Sequence, residues 1–309
     1  MTVMDVLRYV GLVIVLGFVL TTVVGLASSW IDRKVSARLQ WRVGPPWYQP
    51  IADIVKLMSK EVTVVEGASR FTFLSAPFIG FASVVVVSTI IWMASIEPQS
   101  GFVGDLIVIL YLLYIPSLAM IVGGSASRNP FAALGASREM KLMLAYEASF
   151  LIAVFTLVLN SGGIISLGGM VAYQQANGPM VAHSVSSVVA FVVALTYVPA
   201  KLGIGPFDIP EAECELIAGT FTEYSGSPLA AFRLTKAMLL CLLPVLLVSL
   251  FFTSAWTPWA ILWYVLILVV LILIRNTNPR LRIDQALRFF WGPVLVLSLV
   301  GIVLAALGL

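Results

Sequence analysis

Eight long apolar runs limit what this 309-residue chain can fold into. They cover residues 9–29, 77–96, 105–123, 142–160, 185–200, 229–252, 258–274 and 293–309. Each is close to the roughly 17 to 25 residues that a helix needs to cross a bilayer core. A mean hydropathy of +1.03, with 60% hydrophobic and only 11% charged residues, lies outside the range of soluble globular proteins. The expected fold is all-α, a polytopic transmembrane helix bundle of about eight spans forming one integral membrane domain over residues 1–309. Small residues precede Ser28 in the first run, as in a cleaved signal peptide. That run is long and is led by Asp5 and Arg8, so an uncleaved first span is expected.

Basic residues set the orientation. Of 18 Lys and Arg, only Arg8 lies on the side of the N-terminus; the others fall in or beside the loops after spans one, three, five and seven. The positive-inside rule makes those loops cytoplasmic and both termini external, in a multi-pass protein of the plasma membrane. The net charge of +3 is this loop bias and implies no nucleic-acid partner. Cys214 and Cys241 form no CxxC, and His183 is the lone histidine. Such a chain is expected to bind no Cys-ligated iron–sulfur cluster, no zinc and no bis-histidine haem, and to do no redox chemistry of its own. His183 reads as a polar residue at the outer mouth of span five.

Carboxylates are concentrated in one place. Residues 201–226, KLGIGPFDIPEAECELIAGTFTEYSG, carry Asp208, Glu211, Glu213, Glu215 and Glu223. Asp208 followed by Glu211 reads as a capping box opening a short helix over 209–218, with Gly219 ending it. Glu211 and Glu215 then share a face one turn apart, at a cost of roughly 0.2–0.5 kcal/mol in water. Protonation, a basic partner or a hydrated cavity relieves such a cost, and all three lead toward proton handling. The plainer alternative is a solvated acidic loop. In span four, Ser137 can cap the helix, placing Glu139, Met143, Tyr146, Glu147 and Phe150 on one stripe with Glu147 about 12 Å deeper than Glu139. A carboxylate at that depth points to function unless it is half of a structural pair. Arg233 and Lys236, one turn inside span six, are the obvious counter-charges to Glu223, Glu215 or Glu147, and a wholly structural ion pair is the alternative.

The most charged segment follows span one, with Arg33, Lys34, Arg38, Arg42, Lys56 and Lys60 interrupted by Gly44, Pro45 and Pro46. Ile51, Ile54, Val55 and Met58 recur there at helical spacing, which predicts a short amphipathic helix inside a cytoplasmic loop over 31–70. That helix either rests in the headgroups beside Trp47 and Tyr48 or forms a platform for a cytoplasmic partner. The loop between spans seven and eight adds four arginines, with Asp284 as an internal partner. No inverted repeat is visible, which weighs against a stand-alone transporter.

Four segments, IDRKVSARLQWRVGPPWYQPIADIVKL, GASREMKLMLAYE, PFDIPEAECELIAGTFTEYSG and NPRLRIDQALRFFWG, resemble in order and spacing the proximal, H-type membrane subunit of the respiratory complex I superfamily. The compact run from Gly44 to Pro50, the GASRE sequence and EYSG look like the branch of group 4 nickel-iron hydrogenases and ferredoxin-dependent sulfur-reducing relatives. Where quinone enzymes carry Asn-Arg before Pro-Phe-Asp, this chain has Ile204 and Gly205.

The resemblance implies a membrane anchor that couples a cytoplasmic redox arm to antiporter-like subunits. Partners would be a hydrophilic iron–sulfur subunit, a catalytic large subunit with iron–sulfur clusters or, in the hydrogenase relatives, nickel-iron as well, and small membrane subunits. Asp208, Glu211, Glu213, Glu215 and Glu223 would begin a proton relay from a cytoplasmic acidic loop over 201–228, and Glu139 and Glu147 would carry it into the bilayer. Lys201, Arg233 and Lys236 would be counter-charges. Arg33, Arg38, Arg42, Trp47, Tyr48, Gln49, Asp53, Lys56, Arg280, Arg282 and Asp284 would dock the arm. The alternatives are a quinone-binding subunit of an NADH- or ferredoxin-quinone oxidoreductase and a passive scaffold.

Overall fold

The computed structural model describes residues 10–99, 101–253 and 257–308, without the side chains of Glu213 and Cys214. Arg8, on which part of the orientation argument rests, and Asp5, used with it to argue for an uncleaved first span, lie outside the described residues. The longer helices are α1 (Val10–Leu39), α2 (Gln49–Met58), α3 (Arg70–Ile96), α4 (Asp105–Ala126), α5 (Pro130–Asn160), α6 (Leu167–Asn177), α7 (Val185–Leu202), α8 (Gly226–Phe251), α9 (Pro258–Thr277) and α10 (Ile283–Ala306). All but α2 and α6 are long and apolar enough to cross a membrane, which gives the eight spans. Among the described residues no strand occurs.

Helix α8 is the axle of the bundle. Of its most apolar stretch 83% is buried, against 22% for α1 and α10 and 28% for α9. It packs on α1, α2, α3 and α7. Lipid tails are as apolar as leucine, so membrane helices associate through close backbone approach and interhelical hydrogen bonds. Gly25 shows the first: a Cβ there would stand 2.4 Å from the Ala237 carbonyl oxygen of α8. The α1–α3 contact shows the second, with Trp92 Nε1 donating to Thr21 Oγ1 at 2.9 Å and Ser88 Oγ to the Gly17 carbonyl at 2.6 Å.

Several helices extend beyond their apolar cores. α1 continues to Leu39, well past Ser29. α5 begins at Pro130, because Asn129 accepts the Phe131 N–H at 2.8 Å and proline suits the first helical position. Ser137 is therefore interior to α5 and caps nothing. α10 begins at Ile283, ahead of the apolar run, and adopts π geometry over Phe290–Val294 around Pro293, which has no N–H to donate.

The acidic stretch differs most from expectation. In place of a helix over 209–218 there is one α-turn, Glu213–Leu216, and a 3-10 turn, Gly219–Phe221. Asp208 is engaged by Arg280 at 2.7 Å and so is not a cap. Gly219 ends no helix. It lies at φ +52°, and a Cβ on it would stand 1.8 Å from the Pro210 carbonyl oxygen, where the chain folds back on itself. The loop is fastened at both ends. Leu281 N donates to the Pro206 carbonyl at 3.0 Å, while Thr63 N donates to Ser225 Oγ and Tyr224 Oη to the Phe73 carbonyl, both at 3.0 Å. Burial pushes the Tyr224 phenol above its ordinary range.

Candidate functional site

The stripe read on span four faces inward. Glu139, Met143, Tyr146, Glu147 and Phe150 are all buried on α5. Opposite them α7 ends in a left-handed Gly203, which closes the helix through its N–H to Ala200 and the Ile204 N–H to Pro199, leaving Lys201 in the last turn. Lys201 Nζ donates to Glu147 Oε1 at 2.6 Å, with the two side chains 0% and 5% exposed. The ammonium also stands 5.5 Å from the ring centres of Tyr114 and Tyr146. These contacts offset part of the cost of removing both charges from water. Tyr146 and Ser117 share a hydrogen bond of 3.2 Å, and Glu139, buried on the same helix as Tyr146, lies within electrostatic reach of Lys201 and Lys236. Glu147, Lys201, Tyr146, Ser117 and Glu139 thus form one buried polar cluster.

A charged chamber of about 580 Å³ adjoins it, walled by α1, α8, α9 and the acidic loop. Three ion pairs project into it: Lys236 with Glu211, Arg275 with Asp32, and Arg280 with Asp208. Arg233 also faces the chamber, and among the described residues no carboxylate pairs with it. The expected counter-charges are thereby redistributed. Lys201 serves Glu147, Lys236 serves Glu211, and Arg233 serves none of Glu147, Glu215 or Glu223. Glu215 pairs at the surface with Arg138 at 2.6 Å. Glu223 accepts from Asn129 Nδ2, which ties the loop to the start of α5. The Glu213 side chain lies outside what is described.

The residues expected to dock an arm fall on α1, on α2 and the link between them, and at the start of α10. On α2, Asp53 is pushed up by partial burial, but hydrogen bonds from Arg33 Nη1 and Gln49 Nε2, both at 2.9 Å, outweigh that and hold it below the usual aspartate range. Trp47 and Tyr48 are exposed, as are Ile51, Val55 and Met58 along one side of α2. Arg38 ends α1, and Arg42 lies in the link to α2. Arg282 pairs with its neighbour Asp284 at 3.2 Å, while Lys56 and Asp53 line a smaller cavity under α2.

Two buried acids escaped the sequence reading. Asp32, the partner of Arg275, looked like one more charge in a basic loop; its signal was its place one turn past the apolar part of α1. Asp105, read as the unremarkable start of span three, is 1% exposed, and its Oδ1 accepts the Leu167 N–H at 2.6 Å at the start of α6. Among the described residues no group of three His, Cys, Asp or Glu is placed to hold a metal ion.

Fold and site together define a polytopic helical membrane protein with a run of carboxylates and bases leading from one rim into its interior. The chain belongs to the NADH dehydrogenase family, whose sequence pattern matches residues 10–306. Among its relatives are H-type subunits of NADH-quinone oxidoreductase. That of Syntrophotalea carbinolica is 34% identical, covering 97% of this chain and 96% of the relative. That of Thermomicrobium roseum is 34% identical, covering 94% of each. A solved chain from the membrane-bound sulfane sulfur reductase, an archaeal respiratory membrane complex, superposes with a TM-score of 0.84 at 26% identity, covering 97% of this chain and 98% of that one.

Proposed function

We propose that this chain is the membrane anchor and ion-translocating coupling subunit of a complex I-like respiratory complex of the membrane-bound hydrogenase or ferredoxin-dependent sulfur reductase type. The observation that carries this reading is the buried Lys201–Glu147 pair, with Tyr146 and a second buried acid, Glu139, on the same span as Glu147, and with Leu202 and Gly203, the residues that follow Lys201, lining a charged chamber. Charges inside membrane spans are costly and mark ion pathways. A proton reaching the chamber at Asp208 and Glu211 has Glu139 and Glu147 as its next acceptors. The polar rim of α1, α2 and the start of α10 is the face toward a cytoplasmic arm carrying iron–sulfur clusters and a catalytic large subunit. Small membrane subunits and antiporter-like subunits cover the lipid-level sides. The loops that bear the bases face the cytoplasm, with both termini outside the plasma membrane.

Glu147→Gln tests this reading in the purified complex. Electron transfer continues while proton or sodium pumping into vesicles collapses; undiminished pumping overturns it. A passive scaffold behaves differently, because replacing Glu211 and Glu215 together then detaches the arm on a native gel instead of uncoupling it. A quinone-binding role is the second reading, favoured by the name its relatives carry and by the cavity of about 300 Å³ between α1, α2 and α8, which has a wall of leucine and isoleucine. Tightly bound quinone in the purified complex supports it.

A further inference from the structure

Two cavities adjoin at Arg233. One is the charged chamber, and the other is the cavity under α2, with Leu26, Ile54, Leu57 and Leu229 as its apolar wall and Arg33, Asp53, Lys56 and Arg233 as its polar one. Ser29, Arg33, Arg233 and Ala237 line both. The combined lining carries six bases and four acids. Every one of those acids is paired: Asp32 with Arg275, Asp53 with Arg33, Asp208 with Arg280 and Glu211 with Lys236. Lys56 and Arg233 remain, an excess of two positive charges. Arg233 belongs to the most buried span, about 10 Å along α8 from Gly226, yet it is exposed, because it faces these two spaces. Ile51, Val55 and Met58 leave an apolar side of α2 exposed, as suits a helix lying where headgroups meet hydrocarbon.

We propose that this space holds one anionic phospholipid, with its phosphate diester on Arg233 and Lys56 and one hydrocarbon chain against the apolar wall of the cavity under α2. Each end of the site selects one end of that molecule. A guanidinium offers a fork of N–H donors that matches two phosphate oxygens, and a phosphate there neutralises a base the protein leaves unpaired. Leu26, Ile54, Leu57 and Leu229 offer the chain a surface from which water is driven. A free phosphate leaves those leucines uncovered; a lipid with a neutral headgroup leaves the excess charge standing. The bound lipid fills the seam between α1, α2 and α8 without using any of the paired carboxylates.

The test is native mass spectrometry and lipid extraction on the whole complex purified in mild detergent and washed free of loosely held lipid. The wild-type complex retains one anionic phospholipid that Arg233→Gln loses, with retention falling about tenfold or more, the scale of one lost charge-assisted contact. Lys141→Gln, an exposed charge remote from both cavities, retains it. Should Arg233→Gln fail to assemble, Leu57→Trp fills the apolar arm and expels the lipid from an otherwise intact complex. Undiminished retention in both variants overturns the proposal, as does recovery of a quinone or other neutral lipid from the site. Displacement of the bound lipid by inorganic phosphate alone marks a small-anion site and overturns it equally.

Discussion

Lys201 and Glu147, at the end of one span and in the middle of another, meet at 2.6 Å with both side chains buried. The pair joins α7 to α5 at a depth where neither charge has bulk water as an alternative. Its value to stability is therefore asymmetric. Breaking such a pair leaves an uncompensated buried charge and costs roughly 3–5 kcal/mol, whereas replacing both members with apolar groups can cost little. Lys201→Met lowers the unfolding midpoint of the purified complex sharply, and Lys201→Met with Glu147→Met recovers most of the loss. Equal loss in the single and double variants would show that the two residues are not coupled.

Gly135 lets the acidic loop lie against α5. A Cβ there would stand 2.8 Å from the Thr220 amide nitrogen and 2.9 Å from the Pro210 carbonyl oxygen. Gly135→Ala forces the backbones apart at roughly 1–3 kcal/mol and exposes the loop. Limited proteolysis between residues 210 and 219 accelerates in that variant; an unchanged cleavage rate contradicts the packing described.

Asp105 fastens α6 to α4. Its Oδ1 accepts from Leu167 N, while its Oδ2 is buried without a partner among the described residues. Asp105→Ala leaves the Leu167 N–H unsatisfied and destabilises by roughly 1–3 kcal/mol. Asp105→Asn keeps an oxygen acceptor and costs less. Thermal unfolding of the two variants separates the cases, and equal midpoints count against a hydrogen-bonding role.

Asp53 gives a pH signature to the α1–α2 junction. Its carboxyl is held below the ordinary aspartate range, so the folded state favours the ionised form. The stabilisation is fully present above the ordinary value and is lost as pH falls through the lowered one. Susceptibility of the 40–48 link to proteolysis is accordingly flat from neutral to mildly acid pH and rises only in strong acid. Asp53→Asn removes that dependence. A transition near neutrality assigns the link to another group.

The eight spans were legible because hydrocarbon length is a local property, visible in any long enough window. Helix ends were not, since hydropathy reports contact with lipid and not helicity. Residues 31–39 and 130–141 are polar and still helical, extended past the apolar core by ordinary propensity and by the Asn129 cap. The capping signature at Asp208 failed for a tertiary reason: Arg280, distant in sequence, claims the carboxylate, and the Pro210–Gly219 contact folds the chain back before a second turn can form. Carboxylates and bases stood out as types against an apolar background. Which base meets which acid depends on how helices cross, so Lys201 could not be preferred to Arg233 for Glu147 from spacing alone.

Both ends of the acidic loop are tethered, at Pro206 by Leu281 and at Tyr224 and Ser225 by Phe73 and Thr63. Slack exists only in between, around the single turn Glu213–Leu216. Pressure on the loop from the polar face therefore bows its midsection and leaves its ends in register. The first bonds to give way are Glu211 to Lys236, just before that turn on the chamber side, and Glu215 to Arg138, within it on the outer side.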